Sequence, residues 1–427
     1  MSILLALVAL FVLVLIDVPI AVALGVIAVT AMVASAGMGD LLTVAITMFT
    51  GATKFPLIAI PLFVLAGAIM NTSGISRRLI AFASALFGFV RGGLAMVNIG
   101  TSMFFAEISG SAVADVAAIG SILMPAMVKK GYPKEFAAAI TSSSASLAII
   151  IPPSIPMILY AVMANTSVVQ LFVAGIIPGL LGAAGLAALA WWFAVRYDYP
   201  VEEVFRLSRV WVTFKDAAWA FLLPLIILGG IFGGFVTATE GAGLAVFAAL
   251  FIGLVIYREV DLPQLYRALV DGAVQTSVVM LLVATSAVLG LYLTETRVPQ
   301  LLTQGIIGLT QNTYLVLLML NALFLVLGCF LHGAAAIILV VPIVMPIVNT
   351  LGIDPVHFGL IVTLNLAIGQ QTPPVASVLI TACSIAKADV WEVTKVNVWF
   401  IGVLAAVLIL VTYVPIIPLA LVEYFYR

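Results

Sequence analysis

Long stretches of this chain contain no charged side chain, and they constrain the fold more than any other feature of the sequence. Residues 136–195 hold 60 consecutive positions without Asp, Glu, Lys or Arg, and residues 298–353 hold another 56. A helix that crosses a bilayer needs about 20 mostly apolar residues. Each stretch can therefore supply two crossings, and the sequence predicts an all-α protein that crosses a membrane many times.

The remaining charges gather in short segments, which we interpret as the water-facing connections between membrane helices. The apolar runs between them, with allowance for Pro and Gly interruptions, predict about 11–13 membrane segments. We interpret residues 1–16 as a retained first helix, because no basic segment precedes their apolar run. With 17 basic and 18 acidic residues the chain has no polybasic surface, so no nucleic acid partner is expected.

The sequence repeats itself at an offset of 221 positions. This offset aligns Asp40-Leu41 with Asp261-Leu262, Gly51-Ala52 with Gly272-Ala273, Met124-Pro125 with Met345-Pro346, and Pro152-Pro153 with Pro373-Pro374. It predicts a first repeat over 1–206, a connector over 207–221 and a second repeat over 222–427. An odd number of crossings in each copy would insert the copies in opposite orientations, and we expect two such inverted repeats.

Each repeat contains a small interruption between two apolar arms, which predicts a re-entrant helical hairpin with its tip near the middle of the membrane. The arms are expected to be shorter than a full crossing. The first hairpin is predicted over 95–128, with a tip formed by Ser109, Gly110, Ser111 and Ala112. The second is predicted over about 313–350, with a tip formed by Leu331, His332 and Gly333.

A second interruption follows each hairpin and predicts a broken helix. Tandem prolines remove backbone donors and move the preceding residue out of the α region, so a helix cannot continue through them. The first broken helix is predicted over 135–165, with Ser144, Ser146, Pro152, Pro153 and Ser154 as site candidates. The second is predicted over 356–388, with Asn365, Gln370, Gln371, Thr372, Pro373 and Pro374 as site candidates.

Broken helices in a membrane suit the binding of a cation and an anion together. A break leaves free carbonyls at one half-helix end and free amides at the other. Carbonyl, hydroxyl and amide oxygens suit Na⁺, and amide ends suit a carboxylate. The simpler alternative is that these prolines only kink packed helices and that the glycines allow close helix contact.

Two charged, interrupted segments, 40–54 and 261–275, correspond under the repeat and are too short or too charged to cross a membrane. We expect both to lie along the interface as amphipathic arms that brace a scaffold.

A few polar residues admit two interpretations. His332 either contacts a substrate carboxylate or caps a half-helix. Thr237-Ala-Thr-Glu240 has the spacing of a capping box, in which Glu240 returns to the amide of Thr237. Glu107 and Asp115 flank the first tip, and each is either functional or placed at a watery cavity mouth.

Several motifs resemble the large membrane subunit of tripartite ATP-independent periplasmic (TRAP) transporters. They are Ser109-Gly-Ser-Ala-Val-Ala-Asp115, Ile151-Pro-Pro-Ser-Ile-Pro156, the segment Phe55 to Gly67, and Ile353-Asp-Pro355 with Phe358-Gly359. The resemblance covers nearly the entire chain. It implies Na⁺-driven import of an organic acid anion, such as a C4-dicarboxylate or sialic acid, by an elevator movement across the bacterial inner membrane.

The resemblance also implies partners. A soluble periplasmic binding protein would deliver the anion, and a small separate membrane subunit of about four helices would accompany this chain in the lipid. It implies no cofactor other than Na⁺ as the coupling ion. The resemblance also raises the alternative that Thr237 and Thr239 face the transport pathway instead of serving only as a cap. The chain departs from the family pattern at Phe330-Leu-His-Gly-Ala-Ala335 and at Gln371, which makes His332 and Gln371 candidates for specificity.

Other functions remain open at this point. A self-sufficient Na⁺/carboxylate symporter would transport without a binding protein. An intramembrane enzyme would need His332, Cys329 or the serines, yet the sequence has neither a His-Glu-x-x-His nor a Gly-x-Ser-x-Gly motif. No Gly-Lys pair exists to form a nucleotide-binding loop, which argues against a pump driven by this chain alone.

Overall fold

The computed structural model describes residues 8–9, 12–13, 16, 18–36, 41–202 and 204–426, without the side chains of 35–36 and 107–109. The expected first helix, 1–16, lies largely outside these residues, as does Asp40 at the start of the first arm. The regular structure of the described residues is helical throughout, as the sequence predicts.

The helices of the first part of the chain are α1 (Ile20–Ala36), α2 (Leu41–Ala52), α3 (Ala59–Thr72), α4 (Ile75–Phe87), α5 (Gly93–Ser109), α6 (Ala112–Lys129), α7 (Lys134–Ala145), α8 (Ile155–Ala164) and α9 (Val168–Arg196). Short 3₁₀ turns cover Phe55–Ile58 and Ser146–Ile149.

The second part contains α10 (Leu207–Phe232), α11 (Ala238–Phe251), α12 (Leu262–Glu295), α13 (Val298–Leu309), α14 (Thr313–Phe330), α15 (Gly333–Thr350), α16 (Pro355–Gly369), α17 (Ser377–Ala386), α18 (Val390–Tyr413) and α19 (Ile416–Tyr426). A π turn over Ile252–Ile256 extends α11.

Helix ends in the two parts correspond at the offset of 221. Moved by 221 positions, α5 and α6 fall on 314–330 and 333–350, where α14 and α15 lie. In the same way α7 and α8 fall on 355–366 and 376–385, where α16 and α17 lie. The repeat seen in Pro, Gly and Asp positions is therefore also a repeat of helices.

The length and apolarity of these helices agree with a multi-pass membrane protein. Among the described residues, 9 helices are long and apolar enough to cross a membrane, and eight shorter apolar helices accompany them. The hairpin arms are longer than expected: α6, α14 and α15 each have 18 residues. At 1.5 Å per residue this is about 27 Å, close to the thickness of the hydrocarbon layer. Ser111 and His332 cap the second arm of each hairpin, so α6 and α15 begin directly after the turn.

The two predicted arms differ. Residues 41–52 form the separate helix α2, whereas 261–275 are the start of the continuous 34-residue helix α12. Pro56 follows α2 and starts a 3₁₀ turn, and the repeat places Ser277 at its counterpart. Because serine retains the backbone donor that proline lacks, α12 continues from the arm into the span. The helix α10 likewise continues through the expected connector boundary at 221.

Several acidic residues outside the membrane helices cap helix ends. Asp354 accepts hydrogen bonds from the amides of Val356 (2.8 Å) and His357 (3.0 Å). Asp389 accepts from Trp391 (3.0 Å) and Glu392 (3.1 Å) in the same way. These carboxylates satisfy amides that have no partner within their own helix.

One charged cluster joins three parts of the fold. Glu259 Oε1 accepts hydrogen bonds of 2.8 Å from both Arg77 and Arg78. Arg78 also lies 3.4 Å from Asp216 on α10, and its guanidinium stacks 3.7 Å from the centre of the Tyr257 ring. The hydrogen bond from Arg78 is the main reason that the pKa of Glu259 lies below its ordinary value, against the opposing effect of burial.

Candidate functional site

The first hairpin tip rests on the first helix break. Gly110 has φ +58°, and a Cβ atom placed there would lie 2.8 Å from the carbonyl oxygen of Pro153 and 3.2 Å from the amide of Ile155. Only a glycine allows this approach without a shift of the backbone. The structure therefore brings the tip and the break of the first half together, and we call α5–α8 (residues 93–164) the first tip-and-break unit.

The second hairpin makes the matching contact with its own break. Gly328 and Gly369 pack backbone to backbone, because a Cβ on Gly369 would lie 2.5 Å from the Cα of Gly328. The amide of Val375 donates to the carbonyl of Cys329 (3.1 Å), and Gly333 lies against the Gln370 side chain. We call α14–α17 (residues 313–386) the second tip-and-break unit.

In the first break, one serine serves both half-helices. The Ser154 hydroxyl donates to the carbonyl of Ile149 (2.7 Å) and accepts from the amide of Met157 (3.4 Å). It thus caps α8 while occupying a carbonyl at the end of the preceding turn. The Pro152-Pro153 peptide is cis, as is Pro373-Pro374 in the second break.

The second break is closed by Gln370 and Thr372. The amide of Val378 donates to the Gln370 carbonyl (3.1 Å), and Ser377 Oγ lies 3.5 Å from Gln370 Oε1. Thr372 Oγ1 donates to the carbonyl of Ile368 (3.0 Å). The side-chain amides of Gln370 and Gln371 also donate to the carbonyls of Leu366 (3.4 Å) and Ala367 (3.3 Å).

Buried hydroxyls and one asparagine join the first hairpin to α7. Asn98 donates to Thr141 Oγ1 (2.7 Å), and Ser144 donates to Asn98 Oδ1 (2.9 Å). Ser102 donates to Ser144 Oγ (3.0 Å). The predicted residue Ser146 donates to the carbonyl of Ser142 (3.0 Å). Sequence reasoning missed Asn98 and Ser102, whose spacing of four on an apolar helix was the available signal.

A second network links the two halves. The hydroxyl of Ser143 lies 2.7 Å from Gln371 Oε1 and 2.8 Å from Asn397 Oδ1. All three side chains are fully buried. Asn397 Nδ2 lies 3.4 Å from the Gln371 carbonyl. Gln371, a candidate for specificity, is therefore held by α7 of the first half and by α18.

The side-chain amide of Asn365 has hydrogen-bond partners at its nitrogen, whereas its oxygen has none among the described residues. Its Nδ2 donates to Asn321 Oδ1 (2.6 Å) and to the carbonyl of Ile361 (2.8 Å), while Asn321 Nδ2 donates to Thr412 (3.2 Å). Its Oδ1 is buried and finds no hydrogen-bond partner among the described residues; the buried hydroxyls of Thr101 and Ser142 likewise find none there. A carbonyl-type oxygen in that position can accept from a ligand or coordinate a cation.

The remaining predicted residues serve as caps or lie beside the tips. His332 Nδ1 accepts from the Ala334 amide (3.4 Å), so its ring caps α15. Thr237 and Glu240 form the capping box of α11, and Thr239 Oγ1 lies 3.4 Å from the Phe55 carbonyl. Asp115 is fully buried in α6. The side chains of Glu107 and Ser109 lie outside the described residues.

A cavity of about 530 Å³ opens beside the first tip. Ser111 and Ala114 line it on the hairpin side, and its other walls come from α3 and from the start of α12. Across the described residues, no group of three or more His, Cys, Asp or Glu could hold a metal ion. The predicted tip and break residues offer mainly neutral oxygens, side-chain amides and backbone dipoles, and the first unit adds the buried carboxyl group of Asp115.

Paired helix breaks, each covered by its own hairpin tip inside an apolar bundle, define a membrane transport protein. The comparisons with known proteins agree. The family model described as "Tripartite ATP-independent periplasmic transporter, DctM component" matches residues 7–417. The chain belongs to this family, and it is a multi-pass permease of the bacterial inner membrane and not an enzyme.

Individual proteins support this assignment. The isethionate TRAP transporter permease protein DctMQ of Oleidesulfovibrio alaskensis is 42% identical over 95% of this chain, which spans 64% of that relative's length. The C4-dicarboxylate TRAP transporter large permease protein DctM of Rhodobacter capsulatus is 36% identical over 89% of both chains. The crystal structure of the Alcanivorax borkumensis YdaH transporter shares the fold, with a TM-score of 0.63, 15% identity and 89% coverage of both chains.

Proposed function

We propose that this chain couples the inward movement of Na⁺ to the import of an organic acid anion. The observation that carries the proposal is the contact of a hairpin tip with a helix break in both units, at Gly110 with Pro153 and at Gly333 with Gln370. These contacts gather half-helix ends, whose carbonyls suit a cation and whose amides suit an anion. The ligands are the tip and break residues predicted from the sequence.

The helices of the two units also offer oxygens of the kind that Na⁺ requires. Asn365 Oδ1 supplies an open, buried acceptor in the second unit, and the hydroxyls of Thr101 and Ser142 supply two in the first. Hard cations prefer such oxygen ligands. A cation held there adds positive charge beside the amide ends, which favours an anion at the same place. This mutual attraction is the physical basis of the proposed coupling.

The two tip-and-break units form the moving part of the proposed elevator. α6 packs against α17 and α15 against α8, so each hairpin contacts the broken helix of the other unit as well. The helices α3, α4, α10, α11 and α12 would form the scaffold, which the Glu259 cluster ties together. We propose that the units slide together against this scaffold.

The substrate is proposed to be a small organic anion. The named relatives transport isethionate and C4-dicarboxylates, which share an acidic group and a short carbon chain. A periplasmic binding protein and a small membrane subunit are the proposed partners, as the name of the family indicates for the former.

Uptake into proteoliposomes tests this function. The vesicles would contain this chain and its small membrane partner, with the binding protein outside, and accumulation of isethionate, succinate and sialic acid would be followed with and without an inward Na⁺ gradient. We expect accumulation of at least one anion only with the gradient. Equal accumulation with and without the Na⁺ gradient would contradict the proposed coupling of anion uptake to Na⁺. Uptake without the binding protein would favour a self-sufficient symporter.

Two variants test the position of the site in the same vesicles. Ser111→Leu places an apolar side chain at the first tip, and Pro153→Leu changes the first break. Both variants are expected to abolish uptake while the complex still assembles. Normal transport by both would place the site elsewhere.

A further inference from the structure

The cavity beside the first tip lies between a hairpin and an arm. Ser111 belongs to the hairpin, whereas Gln264, Arg267 and Asp271 belong to the first turns of α12. A volume of about 530 Å³ is within the range of small-molecule sites. A ligand in this cavity would touch both the proposed moving part and the proposed scaffold.

The charges of the cavity are balanced. Among its lining residues only Arg267 and Asp271 carry a formal charge, and they lie four positions apart on one helix. Arg267 Nε donates to the carbonyl of Pro263 (3.3 Å), which holds the guanidinium near the start of α12. The cavity therefore offers one cationic group to an anion and opposes a second anionic group with the carboxylate of Asp271.

The other polar lining groups are neutral, and one of them lacks a donor. Asn71, Thr72, Gln264 and Gln275 line the cavity with amides and a hydroxyl. Gln264 Oε1 is buried, and none of the described residues donates a hydrogen bond to it. A buried acceptor that receives no hydrogen bond destabilises the folded protein, and a donor that reaches it removes this cost. A hydroxyl group on a ligand in the cavity would be such a donor once the Gln264 side chain turns its Oε1 toward the cavity.

We propose that this cavity is a subsite for a hydroxylated organic anion with a single strongly acidic group. The acidic group faces Arg267, and a hydroxyl of the ligand donates to Gln264. A dicarboxylate fits less well, because its second carboxylate meets Asp271. The proposal rests on the proposed function and narrows its substrate class, since it makes Arg267, Gln264 and Asp271 specificity residues.

The position of Arg267 also determines which step it affects. If the hairpin carries the anion away from the arm, the contact with Arg267 exists only before that movement. Arg267 therefore contributes to the binding of the anion from solution and less to the later steps of transport. Its loss is expected to raise KM more than it lowers kcat.

Protection of a cysteine from labelling tests the subsite directly. The full chain, with Cys329→Ala, Cys383→Ala and Gln275→Cys, would be placed in lipid nanodiscs in Na⁺ buffer. Labelling of the new cysteine by a methanethiosulfonate reagent would be timed with isethionate, a hydroxylated monoanion, or with succinate, a dianion without a hydroxyl. Isethionate is expected to slow labelling at concentrations about tenfold below those of succinate, which corresponds to about 1.4 kcal/mol.

Three further variants identify the groups responsible. Arg267→Gln is expected to raise the protective concentration of isethionate at least tenfold. Asp271→Asn is expected to lower the concentration of succinate that protects the cysteine from labelling. Arg91→Gln is the control, because Arg91 is an exposed arginine that pairs with Asp198 at 3.6 Å and lies outside the cavity lining. It should leave both values unchanged.

Several results would overturn the subsite. The first is stronger protection by succinate than by isethionate, and the second is no protection by either anion. The third is protection only by added phosphatidylglycerol, which would make the cavity a site for a lipid headgroup. The fourth is an unchanged protective concentration of isethionate in Arg267→Gln. Uptake measurements separate this failure from failure of the proposed function. Na⁺-driven uptake of succinate with no protection by isethionate rejects the subsite alone, whereas protection without Na⁺-driven uptake of any anion rejects the function.

Discussion

The two tip-and-break units share one backbone pattern and differ in the side chains that fill it. The first is held by hydroxyl groups and a single asparagine, with Thr141 and Ser144 bonded to Asn98. The second is held by amides, of which Asn365 and Gln370 are the main examples. The comparison shows that the repeat preserves helix ends, while the glycines that make the close contacts lie at different positions of the repeat and the polar groups have diverged.

The difference has a chemical consequence. A hydroxyl can rotate and either donate or accept, so the open hydroxyls of Thr101 and Ser142 can adapt to a neighbour. The open Oδ1 of Asn365 can only accept, because an amide oxygen carries no proton to donate. We therefore expect Na⁺ affinity to depend more on the second unit, and hairpin stability to depend more on the first.

The largest effect is expected from Asn365→Leu. It removes the open acceptor, and a bond from a neutral group to an ion contributes about 1.5–3 kcal/mol, or roughly 10–100-fold in affinity. The Na⁺ concentration for half-maximal uptake should rise by this factor. Asn321→Leu is the matched control, because it removes the partner of Asn365 and leaves Oδ1 in place. Equal shifts in the two variants would contradict the role of Asn365.

Glycine contacts should be needed in both units. Gly369→Ala places a Cβ 2.5 Å from Gly328 Cα, and the resulting overpacking should lower the unfolding free energy by about 1–3 kcal/mol. Gly110→Ala should act similarly in the first unit. Gly402→Ala is the control, since nothing lies within 4 Å of its Cβ position. Thermal unfolding in detergent measures the effect, and a tolerated Gly369→Ala would refute the close contact.

The first network should affect stability and leave ion affinity unchanged. Asn98→Leu leaves Thr141 and Ser144 without their buried partner, which should cost about 1–2 kcal/mol. The midpoint of thermal unfolding should fall, and the Na⁺ dependence of uptake should stay as in the parent. A large shift in Na⁺ dependence would remove the proposed contrast between the units.

The smallest effect is expected outside both units, at Glu259. Its pKa is lower in the folded protein than in the unfolded chain, so its contribution is present above the unfolded pKa and is lost as the pH falls through the folded pKa. Because the pair is partly exposed, we expect about 1 kcal/mol or less. Below about pH 5, where carboxyl groups titrate, the midpoint of thermal unfolding should fall with decreasing pH. It should fall less in Glu259→Gln than in the parent. Identical pH profiles would show that the pair contributes nothing.

Some features could be predicted from the sequence because a single residue type imposes them. Tandem prolines end helices wherever they occur, and small residues at Gly110 and Gly333 permit tight tips, so the breaks and turns fall where expected. The first repeat separates its arm, α2, from the next span near Pro56. The helix α12 continues through the corresponding position, because Ser277 stands there in place of a proline. A repeat predicts shared geometry only where the residues that cause it are shared.

The side-chain networks could not be predicted from the sequence, for a different reason. Asn397 and Ser143 lie 254 positions apart, and only the folded chain brings them together. Neutral polar residues inside apolar helices can satisfy themselves on their own backbone, as Thr363 does, so their presence does not reveal a partner. Arg267 has the appearance of an ordinary arm residue until the cavity beside Ser111 is seen.

Cryo-electron microscopy of the complex with Na⁺ and a transported anion tests the central idea most directly. We predict density for a cation next to Asn365 Oδ1 in the second unit, with the anion beside the hairpin tips. Cation density far from both helix breaks, or an anion bound in a cleft that touches neither tip, would contradict a site built from paired breaks.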